Sequence, residues 1–400
     1  MFNSNYYQEL KNELHHDYQN YIQELRVQLD EISKETLLSH EFMNFLNSAL
    51  LQSQLNEFTP ENFYFVNLLE DLSFVIESLH TQDALALIDF FTQSQYAQKF
   101  LEKPESPLES AENLLDQLEQ QVMGFFYLKI TGNIEQSFNF QPIFEMGDCE
   151  ERIYLTKFSS YFDKSEISKQ DKPAFCNSKK LNDVFVVSRD NHDELTIDQQ
   201  ASKIENALSM ISNHSPACYE AFTQFTKVII PIDEPGVVSY STQELPGYSC
   251  INMFERDDID LMDDLIHENG HHFLNYHLNT AELIIEDDDP CFYSPWRETQ
   301  RPIRGIYHAY LTFFWAYQLF ADLSLSVING KLNLNQAQKK KILSRFTQEK
   351  EMLERCAIEL EKAQKMGKIH KEGSELIKKF EKHFLLSDEN LDKILLYISK

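Results

Sequence analysis

Glycine and proline are scarce in this 400-residue chain, at 10 and 12 residues. Few positions can then act as flexible linkers or forced turns, so long helices are expected. Cysteine is sparse as well. The six thiols, Cys149, Cys176, Cys218, Cys250, Cys291 and Cys356, include no Cys-x-x-Cys spacing. That excludes a zinc ribbon and a dithiol redox pair, and the thiols are expected to be reduced, as in a cytoplasm. Positive charge is the third shortage: 36 Lys and Arg stand against 64 Asp and Glu, a net charge of −28. A field of that sign repels nucleic acid and anionic membrane and favours cationic partners such as metal ions and basic peptides; it also serves plain solubility. The most apolar stretch, 306–328, is broken by His308, Gln318 and Asp322, so no membrane span is expected. The N-terminal segment MFNSNYYQELKNELHHDYQ is polar and charged, unlike a signal peptide.

What the chain does hold is ample material for a core, with 42% apolar residues, 30 Phe and 18 Tyr. Its length suits two domains. Tyr7, Leu10, Leu14, Tyr18, Tyr21 and Leu25 recur at helical steps, and residues 1–122 read as a helical N-terminal region able to dock a peptide. From 123 the character changes. GFFYLKITG, RIYLTKF, NDVFVVSRD, KVIIPID and GVVSYSTQELPGYSCINMF are short, aromatic and β-branched, as strands are. Helices are expected over 198–212, 259–278, 304–328, 334–365, 371–385 and 388–398, with a loop between 278 and 304. The fold class is therefore α+β, predominantly helical. A helical N-terminal region is followed by a small sheet, a metal-binding helix and further C-terminal helices, with 123–400 as the catalytic region.

The chemistry concentrates in His267-Glu268-Asn269-Gly270-His271. Histidines one turn apart on a helix place both rings on one face, where a single metal accepts a nitrogen from each. Glu268 lies beside the metal's open side, where in metallopeptidases such a glutamate deprotonates bound water. Gly270 in mid-helix costs about 1 kcal/mol against alanine, so a close approach is expected there. The plainer alternative is a surface helix rich in histidine, since His272 and His277 are near. A third ligand is needed. The next helix has no glutamate between Arg304 and Ile328, but it carries His308 near its start. Glu298 and Glu286 are the rivals. Arg297, Arg301 and Arg304 form a basic cluster that suits a carboxylate-bearing ligand, or else balances the acidic run 286–289.

His-Glu-x-x-His, followed by Pro295-Trp296-Arg297, Arg301-Pro302, Arg304-Gly305 and His308, resembles the HExxH-motif peptide-modification family. The likeness spans about residues 245–310, with Pro246-Gly247 before the motif helix. Thr299-Gln300 stand where the family's pattern has Asp-Pro. The resemblance implies an iron(II)- and 2-oxoglutarate-dependent peptide β-hydroxylase that acts on a ribosomally made precursor peptide in bacteria. It implies His267, His271 and His308 as iron ligands, and Arg297 and Arg301, with Arg304 beside them, as the grip on the 2-oxoglutarate carboxylates. Glu268 then sits next to the metal. The alternative is a zinc metallopeptidase with Glu268 as general base. A third possibility is a binding module with a vestigial metal site.

Overall fold

The computed structural model describes residues 4–35, 58, 63, 177–181, 184–188, 196–241, 247–285, 288–384 and 388–398. The chain divides into two compact units, one of residues 14–175 and one of residues 1–13 with 176–400. The boundary expected near residue 122, the strands expected at GFFYLKITG and RIYLTKF, and Glu286 all lie outside the described residues.

Helix α1 (Ser4–Glu35) buries the expected stripe, Leu14, Tyr18, Tyr21 and Leu25. In the smaller unit Tyr18 meets Phe58 and Phe63 edge-on, with ring centroids 5.6 and 6.3 Å away. Edge-to-face contact of this kind suits the ring quadrupoles.

The larger unit is built on a mixed five-stranded sheet, with β1 (Asn177–Leu181), β2 (Val184–Ser188), β3 (Val228–Ile232), β4 (Tyr240–Ser241) and β5 (Tyr248–Asn252) in the order β1-β2-β3-β5-β4. β2, β3 and β5 run parallel, and β1 and β4 are antiparallel edges. Parallel neighbours need a crossover, which α2 (Ile197–His214) and α3 (Pro216–Phe225) supply between β2 and β3. β3, VIIPI, is buried along its whole length, as the apolar centre of a covered parallel sheet should be. Its Pro231 lies beyond the last residue paired with β2, where the missing N–H removes no bond to that neighbour.

Strand β5 leads into α4 (Asp258–Thr280) through a capping box. Asp257 accepts from the backbone N–H groups of Ile259 and Asp260, while the Asp260 side chain reaches back to Asp257 N. Two acidic residues in the first turn also complement the helix dipole. α4 packs against α5 (Ile303–Ile328), and α5 against α6 (Gln336–Lys365). α7 (Lys371–Phe384) and α8 (Asp388–Ile398) complete the chain. Among the described residues the fold is thus α+β and predominantly helical, with eight helices.

Between α4 and α5 a plain loop is expected, and the structure differs. Phe292–Ser294 (β6) and Thr299–Arg301 (β7) form an antiparallel hairpin with Pro295-Trp296-Arg297-Glu298 at its turn. α3 and β1 were likewise not expected. β1, NSKKL, is polar, and α3 is separated from α2 only by Ser215.

Candidate metal centre

The segment His267 to His272 lies in α4 with sheet on one side and α5 on the other. Asn269 Oδ1 accepts from Thr226 Oγ1 at 2.9 Å, tying the helix to the chain just before β3. The backbone N–H of Gly247 donates to His272 Nδ1 at 3.3 Å, so His272 Nε2–H faces Ser249 Oγ at 2.9 Å on β5. His272, which in the sequence only marks a histidine-rich region, is a tie between helix and sheet. Gly270 faces α5: a Cβ there would lie 2.8 Å from Trp315 Cδ1 and 3.1 Å from Thr312 Cα. That is the close approach expected of a mid-helix glycine.

With those ties made, His267 and His271 turn toward α5 and the hairpin. Their ring centroids are 4.9 Å apart, and ligand atoms of His267, Glu268 and His271 all lie within 4.8 Å of one another. His308, from the first turns of α5, faces the same cavity of about 820 Å³, with its centroid 6.1 Å from that of His271. Two imidazoles on one metal at about 2.1 Å and a tetrahedral angle have centroids about 5.3 Å apart, so His267 and His271 fit as they stand and His308 would have to close by about 1 Å. His267 Nδ1 and His308 Nε2 are buried and, among the described residues, without a hydrogen-bond partner. Burial, reinforced by the charges of His271 and Arg297, holds His267 well below the usual imidazole range. Burial alone brings His271 to about 4, and burial with the nearby His271, Arg304 and Arg301 brings His308 to about 3. All three are therefore neutral at pH 7, the form that binds a metal without first losing a proton.

Glu268 is 3% exposed, and Ser241 Oγ donates to its Oε2 at 2.8 Å. Burial raises its carboxyl to about 7, Ser241 opposing the rise and Asp264 adding to it. Of the rival third ligands, Glu298 is exposed at the hairpin turn, held at φ 50°, and does not line the cavity.

The hairpin brings Arg297 and Arg301 to the cavity wall, and the first turn of α5 brings Arg304. Among the described residues no ion pair joins Arg297 or Arg301 to a carboxylate, Asp288 and Asp289 included. Gly305 gives Arg301 its room: a Cβ there would stand 2.9 Å from Arg301 Nε. Trp296 stacks on Phe313 at 4.2 Å with planes 8° apart, and Phe313 lies 4.3 Å from the His267 ring. Trp296 Nε1 donates to Glu349 Oε2 at 3.1 Å, which fastens the hairpin to α6.

Glu349, Asp263, Arg345, Phe313 and Ser241 were not singled out in the sequence. Asp263 and Asp264 were findable, since each lies one helical turn before a motif residue on the same face. Glu349 is 1% exposed, and burial with the charge of Asp263 raises its carboxyl to about 7, against the opposing Trp296 bond and Arg345. The folded state thus keeps a proton that the unfolded chain gives up near pH 4.5. Stability falls as pH rises through that window, and the penalty is complete above pH 7. Glu349→Gln keeps an acceptor for Trp296 and removes the penalty. It is expected to stabilise the protein by on the order of 2 kcal/mol at pH 8 and by almost nothing at pH 4.5, as read by urea unfolding at both values. Equal effects at the two values would contradict this.

No protein-family model matches the chain, and no curated protein sequence matches it.

Proposed function

We propose that the cavity is the active site of an iron(II)- and 2-oxoglutarate-dependent oxygenase that hydroxylates a side-chain β-carbon of a ribosomally made precursor peptide. The observation that carries this reading is the pair Arg297 and Arg301, two guanidiniums beside the histidines that no carboxylate among the described residues pairs with. Guanidinium forks carboxylates through paired donors, and 2-oxoglutarate is a dicarboxylate. The donor set fits the metal. Three neutral imidazoles, two with buried nitrogens that have no hydrogen-bond partner among the described residues, suit iron(II) and leave positions for the keto acid and oxygen.

The overall reaction balances. One C–H bond, one O₂ and one 2-oxoglutarate become C–OH, succinate and CO₂. When bound, iron(II) supplies the redox chemistry, with His267, His271 and His308 as the residues that would hold it. The chain's own groups do the rest. Arg297 and Arg301 orient the keto acid, with Arg304 at the same wall. Trp296 and Phe313 cover the His267 side and exclude water. Glu268 keeps its proton up to about pH 7 and stays on Ser241, an acid beside the metal.

A second reading has a specific observation behind it. The potential metal cluster found among the described residues, His267, Glu268 and His271, contains this glutamate, and a carboxyl titrating at about 7 is well matched to a general base. A zinc metallopeptidase would use it so.

Iron(II) and 2-oxoglutarate added to anaerobic apoprotein separate the two. The expected result is a weak visible charge-transfer band that needs protein, iron and keto acid together. Arg297→Ala or Arg301→Ala is expected to weaken keto acid binding about tenfold or more. No band, with tight zinc binding and peptide cleavage abolished in Glu268→Gln, would replace the oxygenase by the peptidase.

A further inference from the structure

Charge in the cavity is graded along α4. On one side of the histidines, the charges of Arg301 and Arg304 bear on His308. On the other side, one helical turn before His267 and Glu268, the wall is acidic: Asp263 and Asp264 from α4 and Glu349 from α6. Two guanidiniums answer these three carboxylates. Arg345 lies 3.0 Å from Asp263 Oδ2, and Arg256 lies 3.4 Å from Asp264 Oδ2, which also accepts from Ser239. Asp263 is 6% exposed, and its Oδ1 is buried with no hydrogen-bond partner among the described residues. Glu349, 1% exposed, has among the described residues only the Trp296 bond. A buried carboxylate oxygen without a donor is costly, and Asp263 lines a cavity large enough to bring a donor near it.

We propose that this acidic wall seats a cationic side chain of the substrate, an alkylammonium or guanidinium, between Asp263 Oδ1 and Glu349. One positive charge there evens the count of three carboxylates to two arginines. Consistent with a missing cation, burial leaves Asp263 at about 6 and Glu349 at about 7, so in the free protein a proton partly fills the role. The seat lies one helical turn, about 5 Å, from the His267 level. That is about the reach of the four-carbon stem of a lysine. The proposal rests on the oxygenase reading only for the place of the reacting carbon relative to this cation.

The test uses the full-length, metal-free protein labelled with fluorotryptophan. The chain has 2 tryptophans, so fluorine NMR gives two resonances, and Trp296→Phe assigns them. The probes are the Nα-acetyl N-methylamides of lysine and of norleucine, which share a stem and differ in charge. The lysine probe is expected to shift the Trp296 resonance saturably, and the norleucine probe to bind about tenfold more weakly or worse. Asp263→Asn and Glu349→Gln are each expected to lower affinity for the lysine probe about tenfold while leaving norleucine unchanged. Glu349→Gln keeps the acceptor for Trp296, so it decides alone if Asp263→Asn does not fold. Equal binding of the two probes, or wild-type lysine binding in the variants, overturns the proposal. A charge-transfer band without lysine binding would remove the cation seat and leave the oxygenase standing. Lysine binding without the band would do the reverse.

Discussion

Replacing His271 by alanine is expected to lower affinity for a divalent metal by two to three powers of ten. His271 is the middle imidazole, 4.9 Å from the His267 ring and 6.1 Å from the His308 ring. Apparent zinc binding energies of about 10–16 kcal/mol, shared over four ligands, put one imidazole at about 2.5–4 kcal/mol. His308→Ala is expected to lose a comparable amount, because its buried Nε2 has nothing else to bond. His272→Gln, which can still accept from Gly247 and donate to Ser249, is expected to bind metal as the wild type does. Cobalt(II) titration against a competing chelator measures all three. An unchanged His308→Ala would remove His308 as a ligand, and an unchanged His271→Ala would remove the metal site.

Gly270→Ala is expected to weaken both the fold and the metal site. The new methyl would stand 3.1 Å from the Thr312 backbone and 2.8 Å from Trp315. Trp315 is fully buried between Phe273 and Phe380, and a helix backbone cannot swing aside. α4 and α5 must therefore part. Overpacking of this kind costs about 1–3 kcal/mol, against which alanine recovers about 1 kcal/mol of helix propensity. Gly270 adjoins His271, and Thr312 lies one turn after His308, so the parting falls between two of the proposed ligands. A net loss of about 1–2 kcal/mol in urea unfolding should accompany about a tenfold loss of cobalt affinity. Stability lost without metal affinity would mean that His308 does not share the metal with His271.

Helix α4 is legible in the sequence because two signals coincide in it. An apolar face runs from Ile259 to Phe273, and two histidines share a turn spacing. Helices α5 and α6 are legible for the same reason, strong periodicity over great length. The hairpin β6–β7 is not. Its strands are three residues each, and TQR carries no alternation to detect. Yet that hairpin decides where the arginines go. Glu349 was hidden for another reason: it joins Trp296 across the sequence from a different helix, and only tertiary packing brings them together. Whether Arg297 and Arg301 spend their charge on neighbouring acids is likewise a property of the folded loop.

Helix α5 has a consequence for how the chain reaches its fold. At 26 residues it is long and apolar enough to cross a membrane, yet 89% of its apolar window is buried within the protein. A nascent chain thus presents a segment with two possible solvents, hydrocarbon and its own core. The residues that interrupt it choose between them. An aspartate in the middle of a bilayer costs about 3 kcal/mol. In the fold, Asp322 accepts from Ser215 Oγ at 2.7 Å and from Gln318. His308, a liability in lipid, faces a polar cavity. The polar residues on α5 therefore act during synthesis as well as in the finished site, by making the protein interior the cheaper destination.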